Sequence, residues 1–253
     1  MSESETRQEG FAEQTLLEHL NELRIRATWA VGALVIGTVI SFIFAQNILL
    51  LLLSPYDSQL QILRPTEGIE TFFKVALVSG VILAMPVILY QFWLFISPGL
   101  TKQERRYVYV FIPAATVLFL TGIAFAWFVL TPAAVSFLSS FMPEVFVTEW
   151  TSREYISFIL AMLFWLGLSF QMPIIVYLLA WVGLLNGQVM LEQWRFAIVG
   201  VAILSAAITP SIDPVTMLLT MAPLLVLYFV SIGLAYLGHR RFQRAMAIDE
   251  DGV

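Results

Sequence analysis

Two short charged segments of this chain carry the side chains that could do chemistry. The segment 19–26 contains Glu22 and two arginines, and the segment 98–106 contains Glu104 and three basic residues. Each segment adjoins a long apolar run, so its charges lie where a membrane-crossing helix begins or ends. A carboxylate in such a place can accept charge-assisted hydrogen bonds from a cation. We therefore take the two acids as candidate binding residues.

Both acids also have a local explanation. Thr101 and Glu104 have the spacing of a capping box, in which the two side chains satisfy backbone N–H groups at the start of a helix. Glu22 and Arg26 have the i,i+4 spacing of an ion pair on one face of a helix. On the residues alone, the binding and the local explanations stay open.

Catalysis has little support in the sequence. The only two histidines, His19 and His239, lie near the ends of the chain and outside the apolar runs, and cysteine is absent. An HExxH motif, paired intramembrane aspartates and a glycine-rich phosphate loop are also missing from the sequence. We predict a protein that is not an enzyme, with no catalytic residue, no cofactor and no metal site.

The elements that must position these acids are membrane-spanning helices. Of the 253 residues 59% are hydrophobic and 12% are charged, whereas a soluble domain has about 25% charged residues. Ten of the 13 Lys and Arg residues lie on one side of a six-pass layout, which predicts that this side is cytoplasmic. Nothing in this pattern favours binding of nucleic acid. The ten are Arg7, Arg24, Arg26, Lys102, Arg105, Arg106, Arg195, Arg240, Arg241 and Arg244.

Six crossings account for the apolar runs and leave both termini on the basic side. The fifth is short, because its 13 apolar residues span only about 20 Å as a helix. Five crossings would place the basic residues near the C-terminus outside, against the positive-inside bias. The predicted crossings lie at about 27–45, 72–96, 107–130, 156–181, 196–208 and 215–237.

The whole chain, 1–253, is predicted to be a single integral membrane domain. A polar leader (1–14) and an amphipathic helix along the membrane interface (15–26) precede a six-helix core (27–237) and a cytoplasmic tail (238–253). Finer expectations are a stop of the first crossing at 46–47, a short helix at 133–141 within an external cap, and a break near residues 171–173 in the fourth crossing.

Four segments in order carry a resemblance to a known family. The charged segments 19–26 and 98–106, the run 86–93 and the polar break 169–173 closely resemble the TatC family, the receptor core of the twin-arginine protein translocase. The resemblance covers about residues 15–240. It implies an all-α polytopic membrane protein with six transmembrane helices in a curved, cup-like arrangement, short fifth and sixth helices and cytoplasmic termini. The implied function is binding of signal peptides that carry two consecutive arginines.

The resemblance also implies a binding site. Glu22 and Glu104 would accept the two guanidinium groups, since a carboxylate matches the planar fork of an arginine. Phe95 would supply an apolar wall, and Arg24 and Arg105 would orient the carboxylates. As alternatives, Phe95 is a packed or lipid-facing aromatic residue, and the arginines only mark the cytoplasmic side.

Two further polar residues are candidates for function. Gln171 lies within the fourth crossing, where the family often has Glu, so this chain carries the neutral variant. It would anchor the single-span partner subunits TatA and TatB, or it makes an internal helix–helix contact. Asp213 lies between the last two segments and is either functional at membrane depth or a solvated turn residue.

The resemblance implies a multi-copy complex in the lipid of a bacterial cytoplasmic (inner) membrane, powered by the proton-motive force. The alternative from another class is a small-solute transporter or channel. Such a protein needs polar residues that converge near the bilayer midplane, and only Gln171 and Asp213 qualify here.

Overall fold

The computed structural model is almost entirely helical. It describes residues 3–56, 59–97, 102–142, 144–145, 149–209 and 213–250, with side chains for 18–56, 59–97, 109–142, 144–145, 149–209, 213–241 and 243. The helices within these ranges are α1 (Glu3–Leu53), α2 (Glu67–Ile96), α3 (Lys102–Phe125), a π-helical turn (Ala126–Leu130), α4 (Thr131–Ser139), α5 (Ser152–Ser169), α6 (Met172–Trp181), α7 (Gly187–Glu192), α8 (Trp194–Ile208) and α9 (Pro214–Glu250).

Five stretches of helix are long and apolar enough to cross a membrane: Glu18–Leu53, Glu67–Ile96, Tyr109–Ser139, Ser152–Trp181 and Pro214–Arg241. One further apolar helix, α8, has only 15 residues and corresponds to the short fifth segment that the sequence predicts. The expectation of a short sixth helix is wrong, because α9 has 37 residues and its apolar part, Pro214–Arg241, is long enough to cross a membrane. The prediction of an all-α protein with up to six apolar helices that could span a membrane is therefore confirmed.

The helices α1 and α2 form an antiparallel pair. Near the end of α1, the Phe42 ring lies 5.3 Å from the Phe72 ring at the start of α2. Near the start of α1, the His19 ring lies 4.5 Å from the Phe95 ring at the end of α2. We call the end of the bundle that contains His19 and Phe95 the basic end, and the end that contains Leu52 the opposite end.

The core lies around α5, the most enclosed helix. Its Tyr155 is fully buried, and the phenol hydroxyl donates a hydrogen bond to the Leu52 carbonyl at 2.9 Å, which ties α5 to the end of α1. At the basic end a second cluster holds α3 against α2 and α6, with the Phe111 ring 5.3 Å from Trp93 and 5.8 Å from Trp181. These two clusters fix the positions of the helix ends that carry the candidate site.

Three helix boundaries differ from the prediction or refine it. The expected stop at 46–47 is wrong, because α1 continues to Leu53; both amide side chains there are exposed and do not interrupt the backbone. The short helix expected at 133–141 is present as α4, two residues earlier, and it follows α3 directly through the π-helical turn. The expected break in the fourth crossing is confirmed at 170–171, after which Pro173 lies in the first turn of α6, where its missing N–H costs nothing.

The predicted interfacial helix at 15–26 belongs to the same unbroken helix as the first crossing. Its position along a membrane surface stays a prediction. Side chains before residue 18 lie outside the described part of the chain.

A buried carboxylate closes the opposite end of the bundle. Glu67, the first residue of α2, is only 3% exposed. Its two oxygens accept four hydrogen bonds at 3.0 to 3.3 Å from the backbone N–H groups of Leu63, Arg64 and Arg153 and from the Ser152 hydroxyl. One side chain therefore fixes both the 61–66 loop and the start of α5 to α2.

Replacement of Glu67 by Ala is expected to lower the unfolding temperature by several degrees, because one buried donor, the Ser152 hydroxyl, and three part-buried backbone N–H groups lose their acceptor. Thermal unfolding of the purified protein in detergent measures this change. Glu70→Ala is the matched control, since Glu70 lies in the same helical turn, is exposed and accepts only from the Thr66 hydroxyl at 3.1 Å. Equal losses in the two variants would contradict the role of Glu67.

Candidate functional site

The Glu22 carboxylate lies at the basic end and is weakly held. Its Oε1 accepts a hydrogen bond from Arg26 Nη2 at 3.3 Å, and both side chains are 29% exposed. The i,i+4 pair that the sequence offered as a local explanation is therefore present. Such a pair on a helix surface stabilises by only about 0.3 to 0.5 kcal/mol, so Glu22 can exchange Arg26 for a better partner at little cost.

Arg26 connects α1 to α2. Its Nη1 donates to Gln91 Oε1 at 3.4 Å, and Gln91 is 9% exposed in the middle of an apolar stretch of α2. Sequence reasoning missed this contact, although an amide within the run 86–93 was a visible signal. Arg26, not Arg24, is the arginine beside Glu22. The Arg24 side chain is exposed and forms no ion pair with any described residue.

Phe95 and His19 form a stacked pair next to this network. Their ring planes differ by 21°. Phe95 is half-buried, so part of its surface remains available at the basic end. The stack shows that Phe95 packs against protein; its predicted role as a wall for a ligand stays a prediction. The sequence pattern did not predict that His19 would stack on Phe95.

Glu104 and Arg105 lie in the first turn of α3, and their side chains lie outside the described residues. Their helix is nevertheless located by Phe111, which packs on Trp93 near the end of α2. Glu104 precedes Phe111 by seven residues, or about 10 Å of helical rise toward the basic end. The backbone thus brings Glu104 to the end of the bundle that also carries Glu22, while the predicted meeting of the two carboxylates stays a prediction.

Gln171 lies in the turn between α5 and α6 and is 3% exposed. Its Nε2 donates to the Ala115 carbonyl of α3 at 2.9 Å, so the internal helix–helix contact is present. Its Oε1 is also buried and has no donor within the part of the chain that the structure describes. The amide nitrogen therefore binds α3, while the amide oxygen accepts no hydrogen bond from the described residues.

Asp213 caps the start of α9. Its Oδ1 accepts a hydrogen bond from the Thr216 backbone N–H at 2.6 Å, which is the contact expected of an N-cap residue at the start of α9. The side chain is half-buried. This contact explains an aspartate at this position without assigning it a further function.

Comparisons of the sequence with known proteins all point to one family. A family model described as Sec-independent protein translocase protein (TatC) matches residues 18–223. A chloroplastic Sec-independent protein translocase protein TATC of Arabidopsis thaliana is 41% identical over 223 residues, which cover 85% of this chain and 64% of the relative. The chain thus spans less than two thirds of that plant protein. The TatC protein of Synechocystis is 40% identical over 224 residues, which cover 87% of both chains.

The fold is also similar to solved structures. A crystal structure of the twin arginine translocase receptor TatC has a TM-score of 0.79 and 35% identity, and the match covers 87% of this chain and 99% of that one. A second crystal structure of this receptor, in the detergent DDM, has a TM-score of 0.80 and 36% identity.

Proposed function

The chain belongs to the TatC family of Sec-independent protein translocase proteins, and from this premise we propose that it is a receptor for twin-arginine signal peptides. It is a multi-pass membrane protein of a protein translocase. The observation that carries the proposal is the weakly held Glu22 carboxylate at the basic end, in a chain of this family.

The proposed orientation follows from charge. Ten of the 13 Lys and Arg residues are assigned to the basic side, so this side faces the cytoplasm, with both termini. We propose the bacterial cytoplasmic membrane as its location and a binding role without catalysis. Signal peptides reach the site before export, so a cytoplasmic site has the required access.

In the proposed recognition, Glu22 exchanges its Arg26 partner for an arginine of the signal peptide. A guanidinium group offers a planar fork of donors, and each charge-assisted hydrogen bond contributes about 1.5 to 3 kcal/mol. The existing pair of Glu22 with Arg26 contributes far less at its exposed position. Glu104 is the proposed acceptor for the second arginine. Arg24 and Arg105 are proposed to orient the carboxylates, with Phe95 as an apolar wall.

Peptide binding tests the function. Purified protein in detergent is titrated with a fluorescent peptide that contains two consecutive arginines, and with the same peptide in which both are lysines. We expect the lysine peptide to bind at least about tenfold more weakly, because an ammonium group cannot make the bidentate contact. Equal affinity for the two peptides would refute the proposal.

The partner subunits are proposed to dock near Gln171. Its buried Oε1 needs a donor, and a polar group in hydrocarbon is satisfied by protein or water. Single-span subunits of the TatA and TatB type are proposed to pack over this place within a multi-copy complex. Because Gln171 is only 3% exposed, they would reach its Oε1 only where the contact of Gln171 with α3 opens. We propose that the proton-motive force supplies the energy of transport.

Replacement of Gln171 by Leu is expected to reduce copurification of tagged TatA- and TatB-type subunits several-fold and to leave peptide affinity within about twofold, because one hydrogen bond contributes about 1 kcal/mol. Gln188→Leu is the control, since Gln188 is exposed and, within the described residues, its side-chain amide donates only to Glu192 Oε1, at 3.2 Å. A larger effect on peptide affinity than on copurification would reverse the assignment.

A further inference from the structure

Three basic residues lie apart from the charge pattern of the chain, and all three line one cavity. Ten of the 13 Lys and Arg residues are accounted for by the basic side; the other three are Arg64, Lys74 and Arg153. They meet at the opposite end of the bundle, around a cavity of about 670 Å³ between the start of α2 and the start of α5. Cations on this side run against the positive-inside bias, so their convergence calls for a partner of negative charge.

The cavity also contains acids, but these do not pair directly with the cations. Glu67 is turned inward and its oxygens are occupied by the four hydrogen bonds described above. Glu154 also lines the cavity, and Glu70 lies at its margin. Within the described residues, none of the three basic side chains forms an ion pair with a carboxylate.

Lys74 lies below the rim of the cavity. It is seven residues after Glu67, or about 10 Å along α2 from the end of the bundle. Its Nζ donates a hydrogen bond to the Ser157 hydroxyl at 2.6 Å, and Ser157 is neutral. Lys74 is exposed, and its flexible stem can lie on apolar surface while the ammonium group reaches the level of the lipid headgroups.

An apolar groove begins where the polar cavity ends. The groove has a volume of about 590 Å³ and shares Lys74 with the cavity. Its walls include Ile69, Phe73, Leu77 and Val78 on the outer face of α2. Phe73 is 50% and Leu77 is 54% exposed, so this face is open to the hydrocarbon of the membrane. The site is therefore polar at the top, where Lys74 and Arg153 lie beside the carboxylates of Glu70 and Glu154, and apolar along its length.

We propose that the cavity and the groove together bind one phospholipid of the leaflet at the opposite end. The lipid phosphate receives hydrogen bonds from Lys74 and Arg153, with Arg64 at the rim, and one acyl chain lies along Phe73 and Leu77. The occupant is a lipid because a soluble anion would leave the apolar groove unused. This proposal concerns the end away from the signal-peptide site and does not depend on that site.

The test is a binding measurement on the full chain in detergent by native mass spectrometry, with added phosphatidylglycerol. We expect one tightly bound lipid per chain, and about tenfold weaker binding in Lys74→Gln, which removes one charge-assisted hydrogen bond. Lys74→Arg keeps the charge and is expected to bind normally. Arg240→Gln is the matched control, since it removes an exposed cation at the basic end. Thermal unfolding shows whether each variant is folded.

Two further arms identify the occupant. Diacylglycerol lacks the phosphate, and inorganic phosphate lacks the chains, so neither is expected to displace the bound lipid at equal concentration. Displacement by inorganic phosphate would show a soluble-anion site and overturn the proposal.

Photolabelling of the wild-type protein tests the position of the acyl chain. Phosphatidylglycerol with a photoreactive group on one acyl chain is expected to label the peptide that contains residues 69–78. The proposal fails if labelling avoids this peptide, or if a folded Lys74→Gln protein retains the lipid with wild-type affinity.

Discussion

Simultaneous replacement of Glu22 and Glu104 by Gln is expected to weaken binding of a twin-arginine signal peptide by at least about 100-fold. Two charge-assisted hydrogen bonds of at least about 1.5 kcal/mol each are lost, and 1.4 kcal/mol corresponds to a factor of ten. Gln preserves the capping geometry available to Glu104, so the start of α3 should be maintained. Titration with a fluorescent signal peptide measures the effect.

Glu18→Gln is the control for this pair. Glu18 is an exposed acid one turn before Glu22 on the same helix, so its replacement removes an equal charge without touching the proposed site. We expect wild-type affinity in this variant. The site assignment is wrong if the double variant binds like wild type, or if Glu18→Gln weakens binding to the same extent.

Gly80→Ala is expected to cause the largest loss of stability, because α1 and α2 touch through their backbones at this position. A Cβ atom on Gly80 would lie 2.5 Å from the Thr38 Cα and 2.7 Å from the Thr38 nitrogen, and backbone atoms cannot rotate away. Overpacking typically costs about 1 to 3 kcal/mol, and the rigid neighbour places this variant at about 3 kcal/mol or more. Unfolding temperature in detergent and the yield of monodisperse protein measure it.

Gly32→Ala makes the matched comparison within α1. A Cβ atom at Gly32 meets nothing within 4 Å, and alanine stabilises a helix interior by about 0.5 to 1 kcal/mol relative to glycine. We expect an unchanged or slightly higher unfolding temperature. Similar losses at the two positions would show that helix propensity, not the backbone contact, sets the result.

Much of the helical layout could be predicted, because five of the six predicted crossings are long apolar runs. Helix boundaries were harder to predict where polar residues lie inside a helix. Exposed Gln46 and Asn47 look like a stop in the sequence, yet a helix needs no apolar residues at exposed positions. The π-helical turn Ala126–Leu130 joins α3 to α4 without a loop, and no residue in it marks the junction.

The contacts of the site within one helix could be predicted, whereas its contacts between helices could not. The i,i+4 spacing of Glu22 and Arg26 follows from the helical period, and the pair is present. The contact of Arg26 with Gln91 depends on the register between α1 and α2, which spacing along one chain does not determine. The same holds for the stacking of His19 on Phe95.

The unbroken α1 carries a change at its glycine contact over a long distance. Gly37 lies against Gly80, and Glu22 is 15 residues away, or about 22 Å along the helix. A tilt of about 10° at this contact would move Glu22 by about 4 Å, which is more than a hydrogen bond tolerates. The His19–Phe95 stack and the Arg26–Gln91 hydrogen bond oppose such a tilt at the basic end, so the position of the Glu22 carboxylate depends on both sets of contacts.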